Sequence, residues 1–292
     1  MADVHVLLSD LVIGESPRWH EDRLWFAHWG TGEIVAVDLE GDSEIVAAGR
    51  PGLGWSIDWL PDGRLLVTGE ELTRHEPDGS TVRHADLSSI DNTGWNEIVV
   101  DGRGNVYVNS VGFRFGVEEF RPGAIALITP DGSVRQVADG IAFANGMVVT
   151  PDNSTLVVAE SFAGTLTAFD IGADGTLSNR RVWAAGVAPD GICMDTDGAI
   201  WTGSGASSCV RVGEGGEVLD RIELDGMPFA CMLGGPGRKT LFVMVADWDR
   251  SADPGSNIAR LTTGPRTGRI VTIEAPAAGA GWPYSDVIGG FR

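Results

Sequence analysis

The stretch Ala144-Asn145-Gly146-Met147-Val148-Val149-Thr150-Pro151-Asp152-Asn153-Ser154-Thr155-Leu156-Val157-Val158 reads as a short strand, a polar turn and a second strand. The pattern returns as Pro189-Asp190-Gly191-Ile192-Cys193-Met194-Asp195-Thr196-Asp197-Gly198-Ala199-Ile200-Trp201. It occurs earlier as Trp95-Asn96-Glu97-Ile98-Val99-Val100-Asp101-Gly102-Arg103-Gly104-Asn105-Val106-Tyr107-Val108. Aligned on the turn, Asn145, Asp190 and Asn96 share one position, and each carries a side-chain oxygen.

Working outward, the same start is found at Glu15 in Gly-Glu-Ser-Pro, at Trp55 in Gly-Trp-Ser-Ile and at Ala230 in Phe-Ala-Cys-Met. The six starts lie 40, 41, 49, 45 and 40 residues apart, a period that suits four short strands per repeat, as in a propeller blade. In the first repeat the strands are expected at Ser16–Trp19, Leu24–His28, Glu33–Asp38 and Glu44–Ala47. Asp62-Gly63, Asp78-Gly79, Asp131-Gly132 and Asp174-Gly175 separate apolar runs, a strong hairpin signal. No long segment has a helical period and no Pro- or Ser-rich linker divides the chain. The expectation is one all-β domain over residues 1–292, a six-bladed β-propeller with four-stranded blades. Val4–Leu8 and Arg269–Ile273 are expected to share the last blade and secure the seam, since closure leaves only short edges. The longest irregular piece, Val111 to Pro122, carries Phe113, Arg114, Phe115 and Phe120, which suits a lid over a site.

The net charge of −20 argues against nucleic acid or an anionic membrane as the main partner. Much of that acidity serves solubility. Cys193, Cys209 and Cys231 are odd in number and lack zinc spacing, so they read as buried thiols in a reducing compartment. The start of the chain shows no basic segment followed by an apolar one, and no apolar run is long enough to span a bilayer. The expected setting is cytoplasmic, with a monomer or weak homo-oligomer acting on a small molecule and with neither nucleic acid nor membrane as partner.

In a propeller, equivalent positions of successive blades surround one axis, and the first residues of the inner strands crowd the mouth of the central channel. Four of the six starts there, Glu15, Asn96, Asn145 and Asp190, offer oxygen. Asn or Asp before Gly is by itself an ordinary turn residue. Four oxygen ligands with no Lys or Arg among them are different, because buried like charges without a cation are costly. Hard cations such as Ca2+ take six to eight oxygens, with waters completing the shell. No His or Cys occupies a start, which speaks against a soft-metal or structural zinc site.

Gly14-Glu15-Ser16-Pro17 with Trp19, then Trp95-Asn96, Ala144-Asn145-Gly146-Met147 with Pro151-Asp152, and Pro189-Asp190-Gly191 resemble the regucalcin/gluconolactonase family, also called the senescence marker protein and luciferin-regenerating enzyme family. The resemblance covers essentially the whole chain, in the family's order. It implies one divalent ion held by Glu15, Asn145 and Asp190, with Asn96 beside it as a substrate contact or, as in the related diisopropyl fluorophosphatase, a further ligand. Ca2+ is the first expectation, with Zn2+, Mn2+, Mg2+ and Fe2+ as alternatives. The implied activity is hydrolysis of a sugar lactone. One position departs: animal gluconolactonases carry an Arg two residues before the Asn, where this chain has Gly94. Arg114 is the candidate to replace it. Trp29, Trp55, Phe113, Phe162 and Trp248 are the expected rim, aromatic for a polyhydroxylated substrate.

The expected chemistry is metal-assisted hydrolysis of a lactone such as gluconolactone, the ion polarising the carbonyl and Asp190 acting as general base or as nucleophile. Hydrolysis of another ester or a phosphotriester is the alternative within enzymes; a non-catalytic Ca2+-binding scaffold is the alternative outside them. Among His5, His20, His28, His75 and His84, only His28, beside Trp29, is placed to approach the mouth. Gly203-Ser204-Gly205 is followed by no helix, so it is no nucleophile elbow. Cys193 and Cys231 fall inside inner strands and read as core.

Overall fold

A computed structural model of the protein describes residues 3–249 and 251–283. Among these, the strands form six antiparallel sheets arranged as the blades of a six-bladed propeller. Blade 1 runs outward through Ile13–His20, Arg23–Trp29, Glu33–Val37 and Ser43–Ala48. The inner strands of the next four blades are Ile57–Trp59, Ile98–Val100, Ala144–Val149 and Ile192–Asp195; blade 6 begins with Met227–Gly234. Each inner strand packs against those of the blades on either side, and blade 6 packs back onto blade 1. The turns behave as their Asp-Gly pairs predict: Gly63, Gly79, Gly132 and Gly175 all sit at φ between 80° and 85°, a left-handed conformation that suits glycine.

The seam is where the sequence places it. His5–Leu11 pairs antiparallel with Gly268–Glu274, with His5 opposite Thr272, and supplies the outer strand of blade 6. Two features extend the expectation. Gly279–Ala280 adds a short fifth strand to blade 5, opposite Met194 and Asp195. Trp282 then exchanges backbone hydrogen bonds with Val149, at 3.0 and 2.7 Å, so this segment ties blades 5 and 4 together at the end of the inner strands remote from Asn145. An α-helix, Pro254–Thr263, is inserted between two strands of blade 6, where no helix is expected from periodicity. Asp253 caps it by accepting from Ser256 N, and Pro254 stands in its first turn, where a missing N–H costs nothing.

The core lies between blades rather than in one central mass. Trp55, Ile57 and Val67 of blade 2 pack with Ala27 and Ile34 of blade 1; Val148, Val157 and Leu166 of blade 4 pack with Ile192, Met194 and Ile200 of blade 5. Across the seam Trp19 stacks on Phe242 with ring centroids 5.4 Å apart. The three cysteines belong to the core between blades 5 and 6; they are free and buried, with Cys193 Sγ 3.7 Å from Cys231 Sγ. No helix among the described residues is long and apolar enough to cross a membrane.

Candidate metal and substrate site

At the mouth of the channel, local backbone irregularities aim the key side chains. The pairing of the first two strands of blade 1 slips between Glu15 and Arg18, and Ser16 is left-handed at φ 50°. A bulge of this kind re-aims a side chain, and it leaves Glu15 buried in the channel mouth. In blade 4 the register slips between Ala144 and Met147, and Phe143 is left-handed at φ 60°. A bulky residue held there is strained, and the ring it displaces lines the cavity above Asn145.

Four side chains come together at the floor of a cavity of about 680 Å³: Glu15, Asn96, Asn145 and Asp190. Neighbouring blades lock them. Asn96 Nδ2 donates to Ala144 O at 3.1 Å, which fixes the orientation of its amide. Asn145 Oδ1 accepts from Gly146 N at 3.0 Å and its Nδ2 donates to Ser161 Oγ at 3.4 Å. Ser161 in turn donates to Pro189 O at 2.8 Å, fixing the residue before Asp190. Asn109 Nδ2 donates to Asn145 O, and Thr68 Oγ1 to Asn96 O, each at 2.7 Å.

The electrostatics of this floor are unbalanced. Burial, then the Asp190 and Glu97 carboxylates, push Glu15 well above the usual carboxylate range. Burial and Glu97 raise Asp190 to about 7, opposed by a hydrogen bond from Asn145. Neither Glu15 nor Asp190 forms an ion pair with Arg, Lys or His among the described residues. Arg18, which acts on Glu15 from a distance, is engaged with Glu97 at 3.5 Å and with Ile98 O at 2.9 Å. Two carboxylates without an ion-pair partner, Glu15 buried and Asp190 half-buried, flanked by two amide oxygens, fit a hard divalent cation in ligand type and in charge. The described residues contain no group of three or more His, Cys, Asp or Glu suited to a metal, so any ion here depends on the amides.

Most of the expected rim is found. Trp29, Phe113, Phe162, Trp248 and Arg114 all line the cavity. Trp55 does not: its indole is buried between blades 1 and 2, filling the space at Gly49, where a Cβ would stand 2.3 Å from the ring. Only its carbonyl serves the site, accepting from Trp29 Nε1 at 2.6 Å. Arg114 is not free to replace the missing Arg. Its Nε and Nη2 donate to Glu118 at 2.9 and 2.7 Å, and its own N–H donates to the same carboxylate. His28 does not reach the cavity; its Nε2 accepts from Val12 N at 3.0 Å and burial lowers its pKa.

Phe115, expected only as part of a lid loop, stands on the wall itself, and the sequence reading left out Phe143, Met227, Phe229 and the helix residues Ile258 and Leu261, all on the walls. One signal was available. The residues two before five of the repeat starts, Ile13, Leu53, Gly94, Phe143 and Ala188, all line the cavity, Ile13 from a strand and the others from the loops that lead into the inner strands.

The fold and this floor define a class: a six-bladed propeller whose channel mouth gathers two carboxylates and two amides without a basic partner. Residues 13–247 match the family described as the SMP-30/Gluconolactonase/LRE-like region, and the chain belongs to that family. It is 26% identical over 301 residues to the pentonolactonase XacC of Haloferax volcanii, covering 98% of this chain and 99% of the relative. It is 25% identical over 298 residues to regucalcin of Gallus gallus, covering 89% and 90%. Among solved structures, a luciferin-regenerating enzyme superposes with a TM-score of 0.81 at 18% identity over 98% of this chain and 100% of the other, a likeness of fold.

Proposed function

We propose that this protein is a divalent-cation-dependent lactonase. The observation that carries the reading is the pair of uncompensated carboxylates, buried Glu15 and half-buried Asp190, at the floor of a ligand-sized cavity. Family membership and the likeness to a pentonolactonase support a cyclic ester as substrate. Glu15, Asn145 and Asp190 would hold the ion, with Asn96 as fourth ligand or as the group that orients the carbonyl. An all-oxygen set favours Ca2+. When bound, such an ion supplies Lewis-acid polarisation of the ester carbonyl.

The chain's own residues supply the rest. Asp190 takes the proton of the attacking water, the part of the reaction that needs a positioned base. Asn145 orients Asp190 by donating to it. Glu15, held rigid in the blade 1 bulge, keeps the negative charge that retains the ion. The aromatic walls exclude bulk water, which strengthens each electrostatic contact at the floor.

The test combines metal analysis with a lactone panel. The purified protein is expected to carry one divalent ion per chain and to lose lactone hydrolysis on chelation, recovering it when the ion is returned. Metal-free protein with full activity would refute the reading.

A further inference from the structure

We propose that the ester this site takes is an apolar lactone, a small ring bearing an alkyl or aryl group in place of sugar hydroxyls; the proposal rests on the lactonase reading above. The cavity is built in tiers. The floor holds the four oxygen-bearing side chains. The next tier, two positions earlier in each repeat, is Ile13, Leu53, Gly94, Phe143 and Ala188, and none of these side chains carries a polar atom. Gly94 stands there at φ 108°, a conformation that L side chains rarely adopt, so this tier is closed to a long cation by backbone as well as by sequence.

Above it stands an aromatic cage. Phe143 stacks on Phe162 at 4.6 Å and meets Phe115 edge-on at 5.0 Å, while Phe113 touches all three. Helix residues Ile258 and Leu261 line the cavity with Trp248, and Ile258 approaches the phenylalanine-bearing loop at Gly116. Phe162 is 54% exposed and Phe120, 5.5 Å from it, is 48% exposed, an apolar patch on the approach to the cavity.

Among the described residues, and setting the indoles aside, three polar side chains line the walls beyond the floor, and each is bonded within the protein. Thr93 Oγ1 donates to Asp91 at 2.7 Å, Ser161 Oγ donates to Pro189 O at 2.8 Å, and Arg114 is bound to Glu118. A hydroxylated ring would lose water from its hydroxyls and meet phenyl faces in return. A ring with an alkyl tail would bury the tail in the cage while its carbonyl reached the floor. The reaction is unchanged: water oxygen bonds to the carbonyl carbon, the ring carbon–oxygen bond breaks, the released alkoxide oxygen takes a proton, and the product is a hydroxy acid.

The experiment measures kcat/KM of the calcium-loaded protein on γ-lactones with tails from methyl to heptyl, beside glucono-1,5-lactone and a pentono-1,4-lactone. In parallel, binding of 2-alkylcyclopentanones, which cannot be hydrolysed, is followed by calorimetry. Both kcat/KM and ketone affinity are expected to rise about fourfold per methylene until the cavity is filled, with the sugar lactones slower than the longer alkyl lactones. Phe115→Gln and Phe162→Gln, the latter half in solvent, should flatten both slopes while leaving calcium affinity in place. A flat alkyl series beside faster sugar lactones overturns the apolar preference and leaves the lactonase reading standing. Absence of turnover on every lactone overturns the lactonase reading instead. The ketone series then decides the rest: a slope upholds an apolar ligand, and a flat series overturns it.

Discussion

Replacing Asp190 by Asn should stabilise the metal-free protein while disabling it. In the folded chain burial and Glu97 raise the Asp190 carboxyl from its ordinary 3.8 to about 7. The folded state therefore holds this proton longer than the unfolded state. The associated stability is complete below about pH 4 and is lost as pH rises through about 7. At about 1.4 kcal/mol per pH unit, the loss at pH 8 is about 4 kcal/mol. The carboxamide of Asn has the shape of the protonated acid and no charge to bury. In chelator at pH 8, Asp190→Asn should therefore unfold with a free energy about 4 kcal/mol higher than the parent, and the gap should shrink to about 2 kcal/mol at pH 5. Glu15, raised in part by Asp190, is relieved in the same direction. Calcium should narrow the gap at pH 8. The parent gains about 2.7 kcal/mol at an ion concentration one hundred times its Kd, and the variant gains less at the same concentration. Urea unfolding followed by the fluorescence of the ten tryptophans measures all four conditions. A variant no more stable than the parent in chelator at pH 8, or a gap that does not narrow on acidification, would refute the reasoning.

Other expectations follow from the same site and its surroundings. Asp190→Asn refilled with calcium should remain 10²–10⁴-fold slow, the usual worth of a general base, whereas Asn145→Ala should recover most of its rate at high calcium; recovery of Asp190→Asn to the parent rate would remove the base from Asp190. Gly94→Arg should cost about 1–3 kcal/mol in unfolding free energy, because the residue must hold φ 108°, and should confer no preference for sugar lactones; a stable variant with that preference would contradict the tiered cavity. Cys193, Cys209 and Cys231 are buried among apolar side chains, and hydrogen bonding between the thiols, together with burial, raises the pKa of Cys209 and Cys231 well above normal. A thiol reagent such as DTNB should thus find none of the three until the chain is unfolded; labelling in the native state would count against this packing.

Much of the architecture was legible because a propeller writes one blade six times. The repeat starts, the Asp-Gly turns and the shared last blade all repeat or pair local patterns that a strand period of two makes visible. The site was legible where residue type and repeat position coincide, as at Asn96, Asn145 and Asp190. Trp55 shows the limit. It occupies a repeat start, yet a large ring is drawn to the space that Gly49 leaves between blades, and sequence position does not reveal that space. The helix Pro254–Thr263 was missed for another reason. Its ten residues bury only Asn257 and Leu261, too little for a helical period, although Asp253-Pro254 is a start signal of its own. Arg114 was placed correctly at the cavity, but its engagement by Glu118, four residues on in the loop, decides its role.

The seam has a consequence for how the molecule comes into being. On the ribosome His5–Leu11 emerges long before its partner Gly268–Glu274. Until then the outer edge of blade 6 does not exist, and the early strand is an unpaired ribbon open to wrong partners. Pairings of such long sequence separation form slowly because the chain must first be brought round. The five preceding blades can assemble in order as they are made, but the circle becomes a circle in one late event. A permuted chain opened at the exposed Pro51-Gly52 turn between blades 1 and 2, with its ends rejoined, would split no blade and would carry all four strands of blade 6 consecutively. That molecule should reach the same closed form faster in refolding.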